Sequence, residues 1–232
     1  MSATGKWAKR AVWATFAATL TIGCNPLQTA AFIFHKDDKL PAQYPFRPKD
    51  GPTHDKDVEL KILVLSHQRP GLNYEFAGAD GELTTMIAKL IPVMAKENKE
   101  KLAVIPPAQL ATFKTANPNW SKLPAATIGK KLGADYVLEV HLGNVSVYQP
   151  GSGNQIYEGR GEVFVDVYDV AAGAGVPLHK TVLQYTYPKT GMIAAGDVPL
   201  SRFKQQFLER LAIEISEMHI DHAASDGIAA GR

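Results

Sequence analysis

Glu139 and His141 are the two residues of this chain whose types and spacing best suit acid–base chemistry. They stand two positions apart in a stretch that alternates like a β-strand, so both lie on one face of it. A carboxylate beside an imidazole can exchange protons with a substrate. Asp166 or Glu162 of the following strand can join the pair, but the turn over residues 149–154 does not fix which of them faces it. The alternative is a polar sheet face, or a buried and satisfied pair, that performs no chemistry.

Two further groups contain metal-ligating residue types. One lies at the end of the last predicted helix and the other in a charged segment: His219, Asp221 and His222; and His54, Asp55 and Asp57. Neither group has the spacing of a zinc site or an evident orienting shell. We therefore interpret the first as a frayed helix end and the second as a solvated linker.

Sequence motifs of common enzymes are missing from the chain. It contains no Walker phosphate loop, no G-x-S-x-G elbow and no H-E-x-x-H zinc motif. Residues 151–153, Gly-Ser-Gly, lack the strand-to-helix setting of a phosphate loop and are predicted to form a hairpin turn. We expect no catalytic residues, no metal and no cofactor.

The first 23 residues have the layout of an export signal. Lys6, Lys9 and Arg10 precede an apolar stretch over residues 11–23, which is too short to span a bilayer. The stretch ends at Cys24, the single cysteine of the chain, so no internal disulfide can form.

Residues 21–24, Thr-Ile-Gly-Cys, resemble the lipobox of bacterial lipoproteins, although Thr21 stands where that family prefers Leu. The resemblance implies that Cys24 carries a diacylglyceryl group and becomes the first residue after cleavage. Two or three acyl chains would anchor the protein stably. Asn25 replaces the Asp that retains such lipoproteins at the inner membrane, which favours the outer membrane and the periplasm. The alternatives are an ordinary cleaved signal peptide or an uncleaved anchor with an incidental cysteine.

The distribution of charge argues against nucleic-acid binding. The formal net charge is +2, from 25 basic and 23 acidic residues. Lys6, Lys9 and Arg10 lie in the signal segment, which has no acid, so the remainder carries a net charge of −1. A nearly neutral chain offers no electrostatic footprint for a phosphate backbone.

The rest of the chain divides into a tether, a domain and a tail. Residues 24–57 are rich in proline and charge, which is typical of a stiff, solvated tether. Residues 58–220 alternate between strand and helix periods, and residues 221–232 are small and polar. The predicted fold is α/β of the α+β type: a single mixed sheet with helices packed against it, in the order β-α-β-α-α-β-β-β-α. The first strand–helix–strand unit should be parallel and the later strands antiparallel.

The junction at residues 128–137, IGKKLGADYV, resembles a group of envelope domains. These are the TolB amino-terminal domain, the penicillin-binding-protein activator lipoproteins and the curli-secretion lipoproteins. In them, a helix ending in a G-A-D-Y-like sequence precedes a hairpin whose second strand ends near an aspartate, as at Asp169. Residues 117–154 are also similar to uncharacterised bacterial lipoproteins. These marks are structural, so no active site carries over, and no strand pair remains free to build a curli-type pore.

The sequence thus predicts a lipid-anchored cell-envelope protein that binds another envelope protein as an accessory or scaffold module and is not an enzyme. Its expected partners are the membrane, through Cys24, and that second protein. One alternative is a subunit of an envelope export or secretion assembly. The other is a small envelope hydrolase that uses Glu139 and His141.

Overall fold

A mixed β-sheet with helices on both faces forms the body of the protein. The computed structural model describes residues 39–47, 55–68, 74–173 and 175–223. The elements within them are β1 (Lys39–Leu40), β2 (Leu60–Gln68), α1 (Ala79–Glu97), β3 (Leu102–Val104), α2 (Pro107–Ala116), α3 (Ala125–Leu132), β4 (Tyr136–Tyr148), β5 (Ile156–Asp169), β6 (His179–Tyr187), β7 (Ile193–Ala194), α4 (Leu200–Glu217) and β8 (His222–Ala223).

The main sheet has the strand order β3-β2-β4-β5-β6, and β7 pairs with the start of β5. β2 runs parallel to both β3 and β4, whereas β4, β5 and β6 are antiparallel neighbours. This arrangement confirms the predicted fold class, with its early parallel unit and its later hairpins. Strand β4 runs six residues further than Leu142, where the apolar alternation ends, because β4 and β5 remain paired as far as Tyr148 and Tyr157.

Each face of the sheet has its own apolar cluster. On one face, α1 and α4 cover alternate side chains of β2, β4 and β5, among them Val64, Leu138, Val140, Val163 and Val165. On the other face, Leu110 of α2 and Ile128 of α3 pack against Leu63, Leu65 and Val137. Burying one such side chain contributes about 1.5–3 kcal/mol. The second cluster reaches only the first half of β2 and β4, so polar side chains can occupy the second half on that face.

Helix α1 is not shortened at Pro92. It continues from Ala79 to Glu97 with Pro92 inside it. A proline in a helix interior costs about 3 kcal/mol. Ile87, Ile91 and Ala95 flank Pro92 and are fully buried, and their packing against the sheet outweighs that local cost.

The G-A-D-Y junction joins three strands. Gly133 ends α3 with φ +73°, a left-handed conformation that glycine adopts without steric cost. The Asp135 carboxylate accepts a hydrogen bond from the Lys61 amide at 2.8 Å, and its backbone carbonyl accepts one from Val170 at 2.9 Å. Asp169, at the end of β5, accepts a hydrogen bond from the Ala171 amide at 2.8 Å. Both aspartates therefore terminate and align strands, which agrees with a structural role for the motif.

The structure differs from the predicted tether over residues 39–47. Strand β1 pairs with β8, and Tyr44 donates its amide to the Met218 carbonyl at 2.8 Å. Phe46 is fully buried and stacks on His219, with 5.0 Å between ring centroids. The surrounding prolines conceal this contact in the sequence, because one aromatic residue between them forms no periodic pattern. Because Phe46 stacks on it and it is itself buried, His219 belongs to the packed core and not to a frayed helix end.

Candidate functional site

Glu139 and His141 lie side by side in the structure, and His67 of β2 completes a cluster with them. His141 Nε2 is 3.4 Å from one carboxylate oxygen of Glu139, and His67 Nε2 is 3.0 Å from the other. Sequence reasoning missed His67 because the apolar run of its strand ends at Leu65. The signal was present, since Leu63, Leu65 and His67 continue the period of two along one face.

The register of the sheet brings these residues together. β2 and β4 are parallel, and their register places Leu65 opposite Glu139 and His67 opposite His141. All three polar side chains are on the face that carries Leu63 and Val137, just beyond the apolar cluster covered by α2 and α3. The cluster is half-buried, with less exposure at Glu139 than at His141.

Trp120, in a short helical turn after α2, orients the imidazoles. The His67 ring stacks between the rings of Trp120 and His141, at centroid distances of 5.3 and 4.7 Å. The Lys114 ammonium lies over the Trp120 ring, 4.1 Å from its centroid. The tryptophan also packs against the apolar cluster of this face, so it holds His67 in place.

The two histidines keep Glu139 ionised. Burial by itself would raise the pKa of Glu139, but the hydrogen bonds from His141 and His67, and their charge, lower that pKa to about 2. The same carboxylate acts on Tyr168 across the hairpin. Burial raises the pKa of the Tyr168 hydroxyl, and the charge of Glu139 and a hydrogen bond to it raise the pKa further.

The structure also decides which acidic residue of β5 faces the pair. Asp166 is directly opposite Glu139 in the β4–β5 register. Glu162 lies nearer the start of β5 and accepts a hydrogen bond from Gln184 at 3.1 Å. Asp166 is only 8% exposed, and among the described residues its Oδ1 has no hydrogen-bond partner. Burial raises its pKa, Lys180 opposes that shift, and Glu139 adds to it.

The side chains of the cluster are suitable ligands for a metal ion, and they could also act as a general base oriented by a carboxylate. One nitrogen from each imidazole and one oxygen of Glu139 all lie within 4.8 Å of one another. As an acid–base unit, the carboxylate can orient either imidazole as a general base. Both imidazoles contact the Glu139 carboxylate, so the geometry supplies a candidate general base.

The other candidate residues do not converge on a site. Residues 151–153 form the predicted hairpin turn, with positive φ at both glycines. Asp221 accepts a hydrogen bond from the Ala42 amide at 2.9 Å, and His222 pairs with β1. Asp57 is exposed and lies 3.2 Å from the Lys101 ammonium. Cys24 and His54 are outside the described residues.

No known protein family matches the chain, and neither does any curated protein. Among solved structures, the PelC dodecamer of Paraburkholderia phytofirmans is 12% identical, with a TM-score of 0.41 over 80% of this chain and 97% of that one. Lipoprotein GNA1162 of Neisseria meningitidis is 13% identical, with a TM-score of 0.39 over 68% and 98%. Protein XCC0632 of Xanthomonas campestris is 12% identical, with a TM-score of 0.39 over 77% and 90%.

Scores at this level carry neither a family assignment nor a function for this chain. None of the three is named as TolB, a penicillin-binding-protein activator or a curli-secretion protein. Resemblance to those groups therefore stays a prediction. Within the described part of the chain, no helix is both long and apolar enough to cross a membrane.

Proposed function

We propose that this chain is a lipid-anchored accessory protein of the bacterial cell envelope, which binds an extended segment of another envelope protein along strand β6. On this proposal Cys24 carries the anchor, the domain faces the periplasm, more consistent with the outer than the inner membrane, and the protein has no catalytic activity. The signal segment and the lipobox-like residues 21–24 support the anchor. The edge of the sheet supports the binding role.

Strand β6 is the observation that carries the proposal. It pairs with β5 on one side, and no strand of the described ranges pairs with its other side. An edge strand of nine residues presents a row of backbone donors and acceptors to any chain that can add to it. Strand addition at such an edge is a recurring mode of peptide recognition.

The side chains of this edge alternate between the core and solvent. Tyr185 and Tyr187 are buried against α4, whereas Leu178 and Val182 are 47% and 48% exposed on the opposite face. Phe164 lies beside Val182 in the β5–β6 register. Val182, and Leu178 just before the strand, can contact apolar side chains of an added strand, so they would supply specificity while the backbone supplies affinity.

Site-specific photo-crosslinking in native membranes tests this proposal. A photoreactive residue at position 182 of the full chain should form a discrete adduct with a different envelope protein. Val182→Lys should reduce capture of that protein at least tenfold, because it places a charge where the apolar contact forms. Position 93 supplies the matched control: Val93 is 58% exposed on α1, away from the edge, and Val93→Lys should bind normally.

Two results would overturn the proposal. One is an adduct at position 182 whose mass equals two copies of this chain, because the edge would then serve self-assembly. The other is equal capture by Val182→Lys and Val93→Lys.

A small hydrolase is the second candidate function, favoured by the contact between Glu139 and His141. It would use an imidazole oriented by the carboxylate to activate water as the nucleophile. This function predicts hydrolytic activity of the full chain that disappears in Glu139→Gln and persists in Val182→Lys. The accessory function predicts that partner binding is lost in Val182→Lys and retained in Glu139→Gln.

A further inference from the structure

The cluster of His67, Glu139 and His141 has a property that neither partner binding nor hydrolysis requires. Two imidazoles and one carboxylate converge from adjacent strands, and each imidazole directs Nε2 at a different oxygen of the same carboxylate. The rings are held parallel by stacking on each other and on Trp120. Ligands whose rotamers are fixed by packing lose little entropy when an ion binds.

The ligand atoms of the cluster are close enough to converge on one ion. One nitrogen from each imidazole and one oxygen of Glu139 lie within 4.8 Å of one another. Bonds of about 2.0–2.2 Å that meet at tetrahedral angles place neighbouring ligand atoms about 3.3–3.6 Å apart. His67 and His141 contact different oxygens of Glu139, at 3.0 and 3.4 Å, so a rotation of His141, the more exposed of the two rings, would bring both nitrogens onto one ion.

Asp166 supplies a second, independent reason for a cation at this place. It is nine-tenths buried on the same face as Glu139 and directly across the hairpin from it, and its Oδ1 lacks a hydrogen-bond partner among the described residues. Two neighbouring carboxylates, one of them with an unpaired buried oxygen, are electrostatically costly. A divalent cation between the histidines would offset that cost.

We propose that His67, Glu139 and His141 bind one divalent transition-metal ion, with Asp166 in its outer shell. Imidazole and carboxylate ligands suit Zn²⁺, Co²⁺, Ni²⁺ and Cu²⁺, whereas Mg²⁺ and Ca²⁺ prefer a shell of oxygens. Three protein ligands leave a coordination position for water or for a group from a partner. The site is independent of the β6 edge, so either proposal can fail without the other.

Zinc titration of the full chain tests the site. The protein is purified in detergent without a polyhistidine tag, stripped with a chelator and titrated with Zn²⁺ against a chromophoric competitor. One Zn²⁺ should bind per chain, and His67→Gln and His141→Gln should each weaken that binding at least tenfold. Glutamine can still donate a hydrogen bond to Glu139 but is a poor zinc ligand. The matched control is His222→Gln, because His222 lies outside the cluster. This variant should bind Zn²⁺ as tightly as the parent protein.

X-ray absorption of the zinc-loaded parent protein gives a result that does not depend on the folding of any variant. Two imidazole nitrogens should appear in the first shell of the ion, together with carboxylate or water oxygens. The proposal is overturned if the parent binds no Zn²⁺, if both glutamine variants bind it as tightly as the parent, or if the shell contains no imidazole.

Discussion

The histidines of this protein occupy opposite environments. His67 and His141 contact an ionised carboxylate, whereas His219 is buried against Phe46 and, among the residues that the structure describes, forms no ion pair. The Nδ1–H of His219 donates to the Tyr44 carbonyl at 2.7 Å, and its Nε2 has no hydrogen-bond partner in the described part of the chain. Burial, and to a smaller extent nearby His179, lowers the pKa of His219, whereas the hydrogen bond to the Tyr44 carbonyl raises it. The resulting pKa is about 4. The folded protein therefore holds His219 neutral.

This environment predicts a loss of stability in mild acid. In the unfolded chain a histidine titrates near pH 6.5, so between about pH 6.5 and 4 the unfolded state binds a proton that the folded state refuses. The free energy of unfolding should fall by up to about 1.4 kcal/mol per pH unit, or roughly 3 kcal/mol in all. Urea unfolding at pH 7 and pH 5 measures most of this loss, since the lowered pKa of Glu139 acts mainly below its ordinary value of 4.5. The raised pKa of Asp166 acts in the opposite direction, because the folded protein binds that proton more tightly than the unfolded chain does.

His219→Gln should flatten that pH dependence, and His222→Gln should leave it unchanged. Burial also lowers the pKa of His179, so a smaller slope of the same sign remains in the first variant. An unaltered slope in His219→Gln would show that the acid sensitivity arises elsewhere.

At the scale of the element, α3 lies directly against the sheet because Gly129 has no side chain. A Cβ at this position would meet Val137 Cγ2 at 2.4 Å and Val170 Cγ2 at 2.8 Å. A Cβ atom essentially never lies this close to a non-bonded carbon, so the helix or the strands would have to move. The same helix leads through Gly133 and Asp135 into β4, which carries Glu139 and His141. The approach of α3 to the sheet therefore supports the position of the cluster.

Gly129→Ala should destabilise the protein by about 1–3 kcal/mol, the usual cost of overpacking a core. Gly81→Ala is the control, because a Cβ at Gly81 in the first turn of α1 has no heavy atom within 4 Å. It should be neutral or stabilising by up to about 1 kcal/mol, from the helix propensity of alanine. Thermal and chemical unfolding of both variants decide the matter, and equal stability would contradict direct packing of α3.

At the scale of the whole molecule, the two ends of the described chain meet. β1 and β8 form a two-stranded sheet, Asp221 accepts from the Ala42 amide, and Phe46 fills a space beside His219. The segment that follows the proposed anchor is thus part of the fold from Lys39 onward. If the proposed anchor at Cys24 holds the domain at the membrane, the segment of the partner that pairs with β6 must come close to that membrane.

The anchor itself is tested by acylation. Cells given labelled palmitate should incorporate it into the parent chain and not into Cys24→Ala, because only the thiol can take the diacylglyceryl group. Thr21→Leu, which supplies the residue preferred by lipoproteins at that position, should keep the label and serves as the control. A parent chain that retains its first 23 residues and carries no acyl mass would refute the lipoprotein interpretation.

Apart from the short strands β1, β7 and β8, the sequence alone determined the type of the main elements and the face on which their side chains lie. Periods of two and 3.6 residues are local, so they specify the strands of the β4–β5 hairpin, the α1 and α4 stripes, and the common face of Glu139 and His141. The turn residues Gly133 and Gly151 are local signals as well, because a positive φ is a property of single residues.

Only the tertiary structure decided which of these faces meet. His67 and Glu139 are 72 residues apart, and nothing near either residue records the parallel register that joins them. The choice of Asp166 over Glu162, and the burial of Phe46 against His219, likewise depend on contacts between distant segments. A local pattern fixes the direction of a side chain, whereas its neighbours depend on strand pairing and packing of the whole chain.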